Sequence, residues 1–565
     1  MRRSIFLAAI AAAVISCSTA VEEHLSVVPY PNEVSIKGGT FNAAGADVQF
    51  PADLDEASQN VIKTFAGQLA LVTGQSSTIN GTSAATRFVF TYDAAMPEEA
   101  YTLKINNSTA TIKASSLRGF NYAIQTIKQM LPAEIFGKTE AAGKDWTLQC
   151  VDIKDEPRFS YRGMHMDVSR HFFDMDMVKK YLDVMEIHKL NTLHWHLTDD
   201  QGWRVEIKQY PLLTEIGSIR KETLIGHLHR GEGEYDGIRY GEGCWFSQEQ
   251  VKEIIDYAAA KGIEIIPEID LPGHCMAILA TYPHLGTEDN GGVKTAITWG
   301  IYNKHNNVLA PSEETFAFLK DVFGELMDLF PGKYIHIGAD ECSHKWWKNS
   351  PKTQKFITEH NLGDEKGLQG YFARRVSDIV KARGRVAVGW DEMVDNGLAE
   401  DVAVMVWRGG NRWVPAANGK HKIIMTPGSK SYMNYKQRPD ETRLAHMFRL
   451  VALDTVYTFD PTPDTLSVEQ QKCIVGGQGC MWTEYFATPA EIEYAIFPRI
   501  SAISEVYWTK EELKDYKRFL EAMPLQFRRY AMWGVEEPCR YIFEQMAGIA
   551  PGEETKVAKT DEDGD

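Results

Sequence analysis

The sequence has no Cys-x-x-Cys pair, no apolar run long enough to span a bilayer, and too few basic residues to match its acidic ones. Each shortage excludes something. Beyond Cys17, seven cysteines remain, an odd number at scattered positions. Their spacing rules out zinc ribbons, and a chain of this size needs no disulfide framework, so buried free thiols are expected. Lys and Arg number 60 against 77 Asp and Glu, a net charge of -17. That balance argues against nucleic acid as a partner, because phosphate binding needs a basic face. It argues equally against a peripheral helix on anionic lipid. No Gly-rich phosphate loop opens a helix after the first strand of the repeating region, which disfavours an open, doubly wound nucleotide fold.

What is present divides into segments. Arg2 and Arg3 precede IFLAAIAAAVI, an apolar stretch of export-signal length that ends in VISC, Val14 to Cys17. A small residue before Cys resembles a bacterial lipobox, and Cys17 would then be the lipidated first residue of an exported, outer-membrane lipoprotein, periplasmic or surface-facing. Ordinary cleavage after Ala20 is the competing reading. The expected organisation is a signal peptide over 1–20, an α+β unit over 24–155, a catalytic barrel over 156–510, and a C-terminal helical region with an acidic tail over 511–565. Within the first unit, strands and a helix from about Leu117 suggest one sheet covered on one face.

From residue 160 strands and helices alternate, which implies parallel strands. Eight strands are expected, over 160–168, 191–197, 263–270, 334–340, 385–391, 402–407, 421–427 and 473–482. Eight such strands over about 350 residues point to a (β/α)8 barrel. In that fold the working residues sit at the C-terminal strand ends. Arg170 follows the first strand and Asp199 the second. Asp270 and His274 follow the third, Asp340 and Glu341 the fourth, and Trp390 the fifth. Trp407 follows the sixth, Tyr432 the seventh, and Trp482 and Glu484 the eighth. A rim of acids, one arginine and several tryptophans suits a sugar. Indole faces pack on pyranose C–H groups, while carboxylates and Arg take the hydroxyls.

The stretch YIHIGADECSHKWW, Tyr334 to Trp347, places two carboxylates side by side. Retaining hydrolysis through a carboxylate nucleophile needs two carboxyls facing each other across the bond, about 5 Å apart. Strand neighbours point to opposite faces, so an adjacent pair suits another division of labour, one acid protonating the leaving oxygen and the other positioning a group of the substrate.

DVSRHFF, HWHLTDDQGWR, IPEIDLPGH, HIGADE, GWDE and GGQGCMWTEY, in this order, resemble the glycoside hydrolase family 20 β-N-acetylhexosaminidases from about Tyr161 to Trp508. The preceding unit resembles their accessory domain. The resemblance implies exo-acting, substrate-assisted, retaining release of terminal GlcNAc or GalNAc from glycans, without cofactor or metal. It implies Glu341 as general acid and then base, and Asp340 as the partner of the acetamido N–H. Arg170 and Glu484 would bind hydroxyls. Trp390, Trp407 and Trp482 would wall the acetamido pocket, and Tyr432 would bond its oxygen. Asp199 and His274 complete the binding set by tuning Glu341. Two positions depart from the family pattern. Ala339 replaces a common Gly, and Asn434 replaces an Asp that holds the 4- and 6-hydroxyls. With Lys436 and Arg438 close behind, Asn434 raises the expectation that 6-sulfated sugars are tolerated. Two rival readings stay open, a metal-dependent amidohydrolase built on the His194-x-His196 pair and a non-catalytic glycan-binding protein. Oligomeric state is open.

Overall fold

The protein is described from a computed structural model, over residues 24–229, 232–288, 292–395, 397–399, 401–443 and 446–543. The export-signal segment, Cys17 included, and the acidic tail lie outside the described residues.

The N-terminal unit is a six-stranded mixed sheet. Helices Glu56–Thr73 and Leu117–Met130 pack together and bury their apolar stripes. The second begins where expected, after Ser116, whose side chain accepts from the Gly119 N–H. The first helix and the closing strand Thr147–Asp155 were not anticipated. That strand ends where a boundary was expected, and its last residue fastens the two units together. Asp155 accepts from Tyr101 at 2.7 Å and from the Trp508 indole at 3.0 Å, and it pairs with buried Lys189 at 3.2 Å.

The second unit is a closed, all-parallel barrel. Its strands are β1 (Tyr161–Asp167), β2 (Thr192–His196), β3 (Glu264–Leu271), β4 (Tyr334–Gly338), β5 (Val386–Trp390), β6 (Ala403–Val406), β7 (Lys422–Met425) and β8 (Ile474–Met481). All eight expected strands are present and pair in sequence order. Helices Met175–Ile187 and Gln248–Ala259 follow from their 3.6-residue apolar periods, the latter with a Ser247/Gln250 capping box. Only the short turn Glu392–Asp395 fits between β5 and β6, as the spacing requires. The β2–β3 connection carries an unanticipated hairpin, Leu224–His229 with Glu232–Tyr235. The seven described cysteines are free, and no helix among the described residues is long and apolar enough to cross a membrane.

Candidate active site

The strand carrying the carboxylate pair is shorter than its sequence suggests. β4 stops at Gly338, and φ is positive at Gly338 (+65°), Ala339 (+77°) and Glu341 (+37°). Asp340 and Glu341 therefore sit on a tight left-handed turn, where the strand pleat no longer dictates their directions. Gly338 is required twice over. Its φ favours glycine, and a Cβ there would lie 1.7 Å from Asp270 Oδ1. Ala339 adopts the same region at a cost of about 1–2 kcal/mol. It is held by its N–H on the Leu271 carbonyl (2.8 Å) and its own carbonyl on Gln369 Nε2 (3.0 Å). The turn leaves the Asp340 side chain 13% exposed and that of Glu341 49% exposed, so Glu341 is the carboxyl that a leaving group can reach.

Behind Glu341 runs a chain of buried charge. His274, φ +52°, sets Nε2 3.5 Å from Glu341 and 3.9 Å from Asp340, while Nδ1 lies 3.1 Å from Asp199 and 3.2 Å from Asp200. Asp199 Oδ2 also meets Arg170 at 2.7 Å and His196 Nε2 at 2.9 Å. Both Asp199 oxygens are thus occupied by protein groups, so Asp199 holds Arg170, His196 and His274 in place. Burial disfavours every charge here, yet the carboxylates hold His274 well above the usual imidazole range, and Arg170 with His274 holds Asp199 well below the carboxylate range. Arg170 is fixed further by Asp167 (3.2 Å) and Gln201 (3.1 Å) and lies over the Trp482 ring at 5.0 Å.

The aromatic residues from β5 to β8 close into one box. Trp390 faces Trp482 at 5.8 Å, Trp482 faces Tyr432 at 6.1 Å, and Tyr432 stacks on Trp407 at 6.1 Å and 15°. The Trp407 indole is held by Glu392 at 3.1 Å. Around this box several buried polar atoms lack protein partners: Asp340 Oδ1, Trp482 Nε1, Asn434 Oδ1 and Glu484 Oε2. Buried polar groups are normally satisfied, which makes these four unpartnered atoms notable. The structure brings Arg170, Asp199, His274, Asp340 and Glu341 into one cluster and Trp390, Trp407, Tyr432 and Trp482 into another.

Sequence reading missed the group beneath it. Glu268 sits inside the barrel with an indole and three imidazoles around its carboxylate. Trp390 Nε1 donates to it at 3.0 Å and His196 Nδ1 hydrogen-bonds it at 2.5 Å, while His194 Nε2 lies 3.0 Å away and His336 Nδ1, which accepts from the Gly338 N–H, lies 2.8 Å away. The His-x-His pair therefore packs inward against a carboxylate. His196, between Glu268 and Asp199, is pushed up to about 10 despite its burial, whereas His194, buried beside His336, is pulled down to about 4. The signal was a Glu in an apolar strand at the same parity as Asp270. Asp270, His274 and Asp340 bring ligand-type atoms within 4.8 Å of one another, as do His165, His194 and Glu268.

Burial, the charges of Glu268 and Glu341, and a partly compensating His274 set Asp340 at about 6. Burial raises Glu341 as well, but the His274 hydrogen bond and charge outweigh it and leave Glu341 below its usual value. A general acid needs the proton on Glu341. His274 Nε2 lies 3.5 Å away, and a ligand that strips water from the half-exposed Glu341 raises its affinity for a proton.

The model of the glycosyl hydrolase family 20 catalytic domain matches residues 159–511, and that of the family's domain 2 matches residues 24–156. A beta-hexosaminidase of Porphyromonas gingivalis is 38% identical over 78% of this chain, and the match spans 55% of that protein's length. The Vibrio harveyi GH20 exo beta-N-acetylglucosaminidase, solved with N-acetylglucosamine, superposes with a TM-score of 0.78 at 30% identity, covering 90% of this chain and 78% of that one. A Bacteroides fragilis beta-N-acetylhexosaminidase superposes at 0.76 and 28% identity, covering 93% and 99%. Barrel, carboxylate turn and comparisons agree, and the chain belongs to glycosyl hydrolase family 20.

Proposed function

We propose that the protein is an exo-acting β-N-acetylhexosaminidase that releases terminal non-reducing GlcNAc or GalNAc with retention. The observation that carries this reading is the pair on one turn, with Asp340 Oδ1 unpartnered beside the aromatic box and Glu341 open to solvent. The 2-acetamido group fits the box, its N–H on Asp340. Its carbonyl oxygen attacks the anomeric carbon as the glycosidic bond breaks, and Glu341 passes its proton to the leaving oxygen. The resulting oxazolinium ion carries a positive charge that ionised Asp340 stabilises. Glu341, now a carboxylate, takes a proton from water as that water opens the ring at the anomeric carbon. Two inversions give retention. A non-catalytic glycan-binding protein would have no use for this pair, and turnover of an aryl N-acetylglucosaminide separates the two readings.

We also propose that 6-sulfated sugars are tolerated. Asn434 is buried with Oδ1 unpartnered, and an amide does not repel a sulfate as a carboxylate would. Arg438 is already engaged by Asp440 at 2.7 Å, which leaves Lys436 as the nearby cation. Asn434→Asp is expected to depress kcat/KM on a 6-sulfated aryl glycoside by about 1–3 kcal/mol relative to the unsulfated one. Equal losses on both, or no turnover of the sulfated substrate by the wild type, would make the swap structural.

The proposal for location rests on VISC alone. Cys17→Ala is expected to move the protein from the membrane fraction to the soluble exported fraction, since one lipidated residue would supply the anchor. A wild type already soluble after export would favour cleavage after Ala20.

A further inference from the structure

Beside the site already described, the loops after β2, β3 and β4 enclose a second cavity of about 920 Å³. Its floor is apolar, with Met276, Val293 and Ala296 packed together. Its walls carry Arg220, Lys221, Arg239, Lys294 and Lys304, against Glu215 as the one acid among the described lining residues. In a chain of net charge -17 that local balance is inverted.

Two of the cations have neighbouring carboxylates and two do not. Lys221 meets Glu222 at 3.1 Å and Arg239 lies 3.7 Å from Glu242. Lys294 and Lys304 have no carboxylate partner among the described residues. Arg220 is 1% exposed. Its Nε donates to Thr223 at 2.9 Å, its Nη1 to the Gln201 carbonyl at 3.4 Å, and its guanidinium lies over Tyr240 at 3.8 Å. Its Nη2 is buried without an acceptor, and so is Trp346 Nε1 in the same wall. Both orphans are donors. A buried guanidinium lacking a contacting counter-charge is costly, and burial together with the like charge of Arg204 pulls this one down to about 9, Asp236 compensating only in part. Such a wall asks for an acceptor-rich anion.

The cavity borders the catalytic centre. Met276 stands two residues after His274, and its N–H donates to Asp200 at 3.1 Å. Gln201 holds Arg170 through its side chain and Arg220 through its carbonyl. Trp346 follows Glu341 by one short loop. The aromatic box is built from residues of β5 to β8, and this cavity lies on the β2–β4 side of the same rim.

We propose that this cavity binds an anionic oxygen group, a sulfate ester or a carboxylate, on the sugar at the leaving-group side of the scissile bond. This rests on the hydrolase reading and gives it a substrate class, glycans that are acidic next to their terminal N-acetylhexosamine.

The test uses the full chain and three disaccharides with the same terminal N-acetylhexosamine, the second sugar being neutral, sulfated or a uronate. The wild type is expected to show a kcat/KM about tenfold higher on at least one acidic disaccharide than on the neutral one, a gap that closes with salt. In Lys294→Glu/Lys304→Glu the gap closes, with neutral turnover unchanged. Whichever acidic substrate shows it names the anion. Equal wild-type rates on all three, or a gap that survives the double substitution, overturns the proposal. Failure to cleave even the neutral disaccharide or an aryl glycoside would instead count against the hydrolase reading itself.

Discussion

Glu341→Gln is expected to lose about 10²–10⁴-fold in kcat on substrates with poor leaving groups and far less on an activated aryl glycoside. The asymmetry follows from what the carboxyl supplies. A sugar alkoxide cannot depart without a proton, whereas a stabilised phenolate can. The substitution keeps the shape of the side chain and removes only its proton and charge. It removes the negative charge 3.5 Å from His274 while the amide oxygen can still accept, so the imidazole loses one anion but keeps Asp199 and Asp200. Kinetics with paired leaving groups reads this directly, and equal losses on both would remove Glu341 from the acid role.

Asp340→Asn is expected to cost about 10²–10³-fold, because a charge aimed at the developing positive ring is lost. Affinity for a thiazoline analogue of the intermediate is expected to fall with it, and unchanged affinity would detach Asp340 from the acetamido group. The pH dependence has a definite sign. The working form of Asp340 is ionised, and its carboxyl sits at about 6. The acidic limb of kcat/KM is therefore expected near pH 6, rising with pH, and absent from the Asn variant. Stability runs the other way. A carboxyl whose folded pKa is raised from 3.8 to about 6 is penalised as pH rises through that window, by about 3 kcal/mol above it. Asp340→Asn relieves the penalty, so its Tm is expected to exceed that of the wild type at pH 7 and to match it at pH 4. The active site here stores instability that the chemistry uses.

Much of this was legible because barrel geometry turns sequence order into spatial order. Eight short β-rich runs each ended in a charged or aromatic residue, and parallel closure brings all eight ends to one rim. Tyr432 and Trp407, 25 residues apart, stack for that reason. The shape of the carboxylate turn was not legible. HIGADE reads as strand through Asp340, and only the positive φ at Ala339 and Glu341, neither a glycine, shows that the strand has already ended. Nor was Glu268, since a buried acid is offset by hydrogen bonds from His196 on β2 and Trp390 on β5 that no local pattern connects. The cavity charges were hidden similarly, scattered between Arg220 and Lys304 and gathered only by loop folding.

The proposed mechanism makes the substrate's own acetamido oxygen the nucleophile. The most direct measurement is kcat across aryl glycosides whose N-acetyl group carries zero, one, two or three fluorines. Fluorine withdraws electrons from the carbonyl oxygen while barely changing its size. If Asp340 positions that oxygen for attack, log kcat falls steeply and progressively along the series. A rate indifferent to fluorination would mean that an enzyme group attacks the anomeric carbon, and would contradict the role assigned here to the Asp340–Glu341 pair.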